Sequence, residues 1–188
     1  TQSRSSAASD VYKRQDNYLI NLDLKEDERG FFARSFCEKE FSKQGLNTKW
    51  VQMNNSASKE VGTLRGMHYQ REPGAEIKLV RCIKGEIWDV VVDLRDNSKT
   101  FGKWFGAKLS DKNHTMMYVP RGCAHGFITL ESNSEVLYSV SCFYAPDTEG
   151  ILLWNDPKVA IEWPIKPLII SDRDTKGDKI DKITSIKL

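Results

Sequence analysis

GEIWDVVVDLR, residues 85–95, is the stretch whose reading decides the fold. Counted with the two-residue period of an extended chain, it puts Ile87, Asp89 and Val91 on one face and Trp88, Val90, Val92 and Leu94 on the other. Asp89 therefore falls in an apolar row. The same counting over SEVLYSVSCFY (134–144) groups Val136, Tyr138, Val140 and Cys142 opposite Leu137, Ser139 and Ser141, which predicts that Tyr138 points inward. Around these two runs, short apolar stretches are broken at close intervals by turn signals: KEDERG, RDNS, SDKN, PRG, ESNS, APDTEG and NDP. Short strands at such spacing define an all-β sandwich or barrel. Inward polar groups in a small barrel need partners, and a mouth lined with several of them is a natural small-molecule site. Two helical candidates interrupt the pattern, CEKEFSKQG (37–45) and the Lys-rich end from Asp174, read as a short terminal helix or a tail.

At 188 residues, with 39% hydrophobic side chains, the chain suits one domain, expected over 16–188. A chain of this size buries roughly 70% of its unfolded surface, so its core needs no disulfides. Residues 1–15, TQSRSSAASDVYKRQ, lack helical and strand periodicity and are expected to be a non-native or disordered leader. Lys plus Arg (28) against Asp plus Glu (26) leaves +2 with the signs interspersed, which argues against a nucleic-acid binder. Cys37, Cys82, Cys123 and Cys142 form no CxxC pair and are expected as free thiols. No run approaches the ~18 apolar residues of a membrane span, so a soluble, cytoplasmic protein is expected. Phe31, Phe32, Trp104 and Trp154 are expected in the core.

The densest polar constellation is GTLRGMHYQREPGAEIKLVRCIKGE (62–86), which crowds Arg65, His68, Gln70, Lys78 and Arg81 onto two strand-like runs. Arg65 and His68 are three apart and face opposite sides of a regular strand; a bulge at Gly66 brings both into one cavity. On spacing alone, Arg65 reads equally as a surface charge and His68 as a satisfied core imidazole. In YVPRGCAHGFITL (118–130) a PxGxxH pattern delivers His125, which is the second half-motif of the metal-binding cupin barrel. The first half, HxH followed by Glu, is missing, because GMHYQ holds one histidine. A three-histidine site would have to recruit His68, His114 and His125, and His114 lies in a turn. No metal is expected.

DERGFFARSF, QMNNS, GTLRGMHYQ, KLVRC, GEIWDVVVDLR, FGKW, YVPRGCAHGF, EVLYSVSCFYAPDTEG, WNDP, IEWP and ISDRD, in this order, closely resemble the dTDP-4-dehydrorhamnose 3,5-epimerase family over about residues 20–175. The resemblance implies a cupin-type jelly-roll β-barrel with short peripheral helices, a homodimer, and no metal or organic cofactor. It implies inversion of the carbons flanking the ketone of a nucleotide-linked 4-keto-6-deoxy sugar, with a dTDP-linked substrate. It makes His68 the general base, Tyr138 the acid on the opposite face, Asp174 the carboxylate paired with the base, and Lys78 the cation near the ketone oxygen. Substrate contacts fall on Arg29, Gln52, Asn54, Arg65, His125, Glu149 and Arg173, the last standing where the family has Lys. Asp89 resembles the carboxylate that orients His125. Arg34 replaces the usual Glu and Met53 a frequent Asp, which leaves the nucleotide base and the exact sugar open.

The chemistry asks for these residue types. Removal of a proton α to a ketone wants a base whose ordinary pKa lies near the working pH, as that of histidine does. A fixed ammonium stabilises charge that grows on the ketone oxygen more than it stabilises the neutral ketone. Inversion needs reprotonation from the other face, which a phenol across the cavity supplies. Arginines bind a diphosphate through paired hydrogen bonds. Three alternatives stand beside this reading: a single-centre epimerase of a CDP or GDP keto-sugar, a metal-dependent cupin oxygenase or isomerase, and a sugar-nucleotide-binding barrel without catalysis.

Overall fold

The computed structural model describes residues 8–14 and 17–188, with side chains from residue 17 onward. The strands are β1 (Ala8–Arg14), β2 (Asn17–Leu22), β3 (Lys25–Asp27), β4 (Gly30–Phe32), β5 (Gln52–Ser58), β6 (Thr63–Gln70) and β7 (Lys78–Lys84). They continue as β8 (Glu86–Asp93), β9 (Trp104–Ser110), β10 (Thr115–Val119), β11 (Cys123–Thr129), β12 (Ser134–Val140), β13 (Glu149–Ile151) and β14 (Ile169–Ile170). One helix, α1 (Glu38–Lys43), falls within the helical candidate 37–45.

Two sheets pack face to face, one ordered β1-β2-β10-β7-β12-β5 and the other β13-β6-β11-β8-β9, with β14 added parallel to β6. The remaining pairings are antiparallel, and β3 and β4 form a separate hairpin. This is the all-β, jelly-roll barrel expected from the spacing of turns and from the family resemblance.

Three apolar layers hold it. Between the sheets lie Val80, Cys82, Ile87, Val91, Met117 and Phe127, with Tyr138 packed against them. The outer face of the second sheet buries Val90, Val92 and Leu94, with Trp88 and Trp104 alongside. The two rows counted from GEIWDVVVDLR thus enter different layers, and Asp89 sits in the inner one. The outer face of the first sheet is covered by the segment carrying α1, which buries Phe41 and Leu46 against Ile20, Leu79 and Met116. Burial of such side chains contributes roughly 1.5–3 kcal/mol each, so a sheet covered on both faces gains from two layers.

Four expectations are corrected. Ala8–Arg14 is a strand paired with β2, so that part of the leader belongs to the sheet. Strand pairing uses backbone N–H and C=O groups and needs no apolar alternation. The Lys-rich end is no loose tail: two 3-10 turns, Asp174–Lys176 and Ile180–Lys182, carry it across the second sheet, and Ile180, Ile183 and Ile186 enter the outer layer. Its lysines mask an apolar spacing of three. Phe31 and Phe32 lie exposed on the β3–β4 hairpin rather than in the core. β12 ends at Val140, so Cys142 leaves the row that holds Tyr138. Cys37, Cys82, Cys123 and Cys142 form no disulfide with one another.

Asp93 shows how a buried carboxylate shapes the loop after β8. Burial alone pushes its carboxyl up, but hydrogen bonds from Arg95, Ser98 and Thr100 outweigh this and hold it at about 2. A depressed carboxylate of this kind contributes stability above the ordinary carboxylate range, and that contribution is lost as the pH falls toward 2.

Candidate active site

β6 carries the first half of the site. His125 of β11 pairs with His68 and Phe127 with Arg65, so β6 uses one residue more than its neighbour over this stretch. The extra residue is the bulge expected at Gly66. Gly66 has φ +137°, and a Cβ there would lie 2.6 Å from the Gly126 Cα, so both the backbone angle and the close approach of the strands exclude a side chain. The bulge turns Arg65 and His68 into the same cavity, of about 420 Å³.

The walls of that cavity also hold Lys78, His125, Tyr138, Arg173 and Asp174. A second cavity, of about 310 Å³, is lined by Gln52, Asn54, Gln70, Glu76, Tyr144 and Glu149. His68, Lys78 and Tyr138 border both, so they stand where the two meet.

The sheet register explains the convergence. Tyr138 lies opposite Asn54 and Val140 opposite Lys78, which sets the β5, β7 and β12 side chains at one level of the barrel. From the other sheet, Glu149 lies opposite Gln70. Asp174 arrives from far along the chain, because β14 pairs with the start of β6 and the next turn folds back over the strand.

His68 Nε2 lies 2.7 Å from Asp174 Oδ1, and the Gly66 amide donates to Asp174 Oδ2 at 3.2 Å. An ionised carboxylate only accepts, so Nε2 carries the proton and the Nδ1 lone pair is left for other chemistry. Burial pushes the Asp174 carboxyl up, but the hydrogen bond and attraction from His68, with the Gly66 amide, hold it below the usual carboxylate range. It therefore stays ionised at neutral pH.

The Tyr138 phenol is pushed up by burial first, then by the negative charges of Glu76 and Glu149, with Arg65 opposing. It keeps its proton at neutral pH. His125 Nε2 is 2.8 Å from Asp89 Oδ1 inside the barrel, so Asp89, although it lines neither cavity, holds a side chain that does. Arg65 donates to Ser58 Oγ at 3.2 Å and to the Ala57 carbonyl at 3.0 Å, which ties its guanidinium to β5. Glu149 accepts hydrogen bonds from the Tyr144 hydroxyl and from Arg173. Gln52 accepts from the Tyr144 amide at 2.7 Å.

Of the residues expected to contact substrate, Arg29 is the one placed elsewhere; Arg81, from the same polar constellation as His68, also lies outside both cavities, donating to Ser35 Oγ at 3.1 Å. Arg29 is exposed on the β3–β4 hairpin, paired with Asp27, and lines neither cavity of its own chain. His114 packs against Phe31 with ring centroids 4.6 Å apart and lies outside both cavities, so the three histidines do not come together. Among the described residues, no group of three or more His, Cys, Asp or Glu side chains is placed to hold a metal ion. Sequence reasoning missed Glu76, whose carboxylate is 3.2 Å from Lys78 Nζ. Its spacing of two from Lys78 was the available signal.

The jelly-roll barrel thus brings an imidazole–carboxylate pair, a phenol and an ammonium to the walls of one cavity. The family profile described as dTDP-4-dehydrorhamnose 3,5-epimerase matches residues 12–182. The chain is 47% identical over 154 residues to the dTDP-4-dehydrorhamnose 3,5-epimerase of Shigella flexneri, covering 81% of this chain and 84% of that protein. The crystal structure of the enzyme of that name from Elizabethkingia anophelis matches with a TM-score of 0.88 at 42% identity, over 92% of this chain and 97% of that one. The dTDP-6-deoxy-D-glucose-3,5-epimerase of Legionella pneumophila, crystallised with dTDP-4-keto-L-rhamnose, matches with a TM-score of 0.89 at 34% identity, over 95% and 98%. The chain belongs to the dTDP-4-dehydrorhamnose 3,5-epimerase family, whose members are isomerases acting on carbohydrates.

Proposed function

We propose that this protein inverts C3 and C5 of dTDP-4-dehydro-6-deoxy-D-glucose to give dTDP-4-dehydro-L-rhamnose, without a metal or organic cofactor. The observation that carries the reading is the placement of His68 and Tyr138 on the border of both cavities, with His68 Nε2 held by Asp174. In this reading His68 Nδ1 removes the proton α to the ketone. Lys78 faces the charge that develops on the ketone oxygen, and Tyr138 returns a proton to the opposite face. Arg65, His125 and Arg173 meet the diphosphate and sugar from the first cavity; Gln52, Asn54 and Glu149 meet the substrate from the second.

The deciding experiment incubates the protein in D2O with the dTDP- and CDP-linked 4-keto-6-deoxyglucose separately and follows the C3 and C5 protons by NMR. Deuterium entry with inversion at both carbons of the dTDP sugar is the expected result. Turnover confined to one carbon, or to the CDP sugar, would replace the reading with the single-centre alternative. Absence of any exchange would leave a binding barrel without catalysis.

The assembly we propose is an isologous homodimer. It is supported by the exposed β3–β4 hairpin, where Arg29 and the apolar Phe31 and Phe32 stand outside their own chain's cavities. Sheet edges and apolar hairpins of small β domains are commonly covered across a two-fold axis. Light scattering at micromolar concentration should read twice the chain mass, and a monomer would sink the dimer. The location we propose is the cytoplasm; among the described residues no helix is long and apolar enough to cross a membrane.

A further inference from the structure

We propose that Glu76 is a positioning residue of this site: through its ion pair it holds the Lys78 ammonium where the two cavities meet. The inference rests on the epimerase reading above and assigns a part of its machinery to a side chain outside the set read from the sequence.

The backbone places Glu76 deliberately close. Ile77 donates its amide to Ser141 Oγ at 2.8 Å, and the Ser141 amide donates to the Ile77 carbonyl at 3.0 Å. These bonds extend the β7–β12 ladder one step before Lys78 and pin the residue between Glu76 and Lys78. Side chains two apart on an extended chain share a face, so both project into the second cavity. Glu76 Oε1 and Lys78 Nζ are 3.2 Å apart, with the side chains 11% and 12% exposed.

Burial of this degree makes the pair informative. Withdrawing two charges from water costs about as much as their attraction returns, so such a pair adds little net stability, whereas removal of one partner leaves the other uncompensated. What the pair does provide is a fixed place for a flexible ammonium. An unanchored lysine samples many rotamers, and charge stabilisation in a transition state depends on a group already in position.

Glu76 also acts on Tyr138. The charged or titratable groups that share a cavity with the phenol are Arg65, His68 and Tyr69 from β6, Lys78 from β7, His125 from β11, Tyr144 and Glu149 at and before β13, Arg173 and Asp174 after β14, and Glu76 itself. Among them Glu76 and Glu149 push the phenol upward, after burial, and Arg65 pulls it down. Replacing the Glu76 carboxylate by an amide removes one of the upward pushes.

The test compares Glu76→Gln and Glu76→Asp with the native protein. Two quantities are read: kcat and KM for inversion of the dTDP keto-sugar across pH, and the titration of Tyr138 followed by NMR with ring-13C tyrosine. Glu76→Gln should lower kcat about tenfold while KM moves less than about threefold, because the ammonium matters most to the charge of the transition state. Its Tyr138 signal and the basic limb of its pH profile should both move to lower pH. Glu76→Asp, which keeps the charge, should recover part of kcat and leave Tyr138 titrating near the native position.

An unmoved Tyr138 titration and an unmoved kcat in Glu76→Gln overturn the proposal. So does a complete loss of deuterium exchange, which would make Glu76 a catalytic residue in its own right. Failure of the native protein to exchange or invert any keto-sugar sinks the epimerase reading instead. The Tyr138 titration needs no substrate and still reports on Glu76 in that case.

Discussion

His68→Ala is expected to abolish deuterium incorporation at both C3 and C5 of the dTDP keto-sugar, a loss of ~10³-fold or more for a positioned general base that nothing replaces. Nucleotide-sugar binding should stay within about tenfold, because the role of His68 lies in the transition state rather than in the bound ground state. The other imidazole of the cavity cannot substitute, since His125 is engaged with Asp89 inside the barrel. Asp174→Asn should lower the rate by less. Asp174 offers two oxygens to two donors, His68 Nε2 and the Gly66 amide, whereas an asparagine has one oxygen and an NH2 group. If the amide NH2 faces His68, the proton shifts to Nδ1 and the base is lost in those molecules; where the oxygen faces His68, the base survives. NMR wash-in of deuterium measures both variants. Native-like exchange by His68→Ala would remove this residue as the base.

How far the sequence discloses this arrangement depends on the range of the interaction involved. Strand alternation is local, so GEIWDVVVDLR and the first half of SEVLYSVSCFY disclose their inner and outer rows, including Asp89 and Tyr138 in the inner layer. The bulge at Gly66 is local too, since the conflict between a three-residue spacing and one shared cavity has few other solutions. Neither the covers nor the convergence is local. Ile180, Ile183 and Ile186 hide among lysines because three apolar side chains at that spacing are a weak signal until a second sheet lies beneath them. β1 is held by backbone bonds to β2, which no side-chain pattern announces. Asp174 reaches His68 across 106 residues only because β14 docks parallel to β6. Its pairing with the base was legible from family resemblance and not from spacing. Glu76 was overlooked because its partner is two residues away while the bonds that aim it lie 64 residues away, at Ser141. Arg29 stands apart for another reason: its guanidinium is bound within its own hairpin, to Asp27 two residues away, and away from both cavities.

The second large effect separates acid from base. Tyr138→Phe keeps His68, Asp174 and Lys78 in place and removes one oxygen, so deprotonation and enolate stabilisation survive while the donor on the opposite face is gone. The variant should still exchange solvent deuterium into substrate of unchanged configuration, since the histidinium returns a deuteron to the face it took the proton from. Inverted product should fall by ~100-fold or more, the usual worth of a positioned general acid. The fold should tolerate the change, because the ring packs against the inner layer and, among the described residues, the hydroxyl makes no hydrogen bond. That hydroxyl belongs to a side chain that borders both cavities together with His68, and burial with the charges of Glu76 and Glu149 keeps it protonated at neutral pH. Tyr144 is the nearest rival, but its hydroxyl already donates to Glu149 at 2.8 Å from an exposed loop. Exchange without inversion can arise only if base and acid are different groups on different faces. Inversion at the native rate by Tyr138→Phe would pass the role to Tyr144 or to a bound water, and loss of exchange together with inversion would mean that the phenol takes part in deprotonation itself.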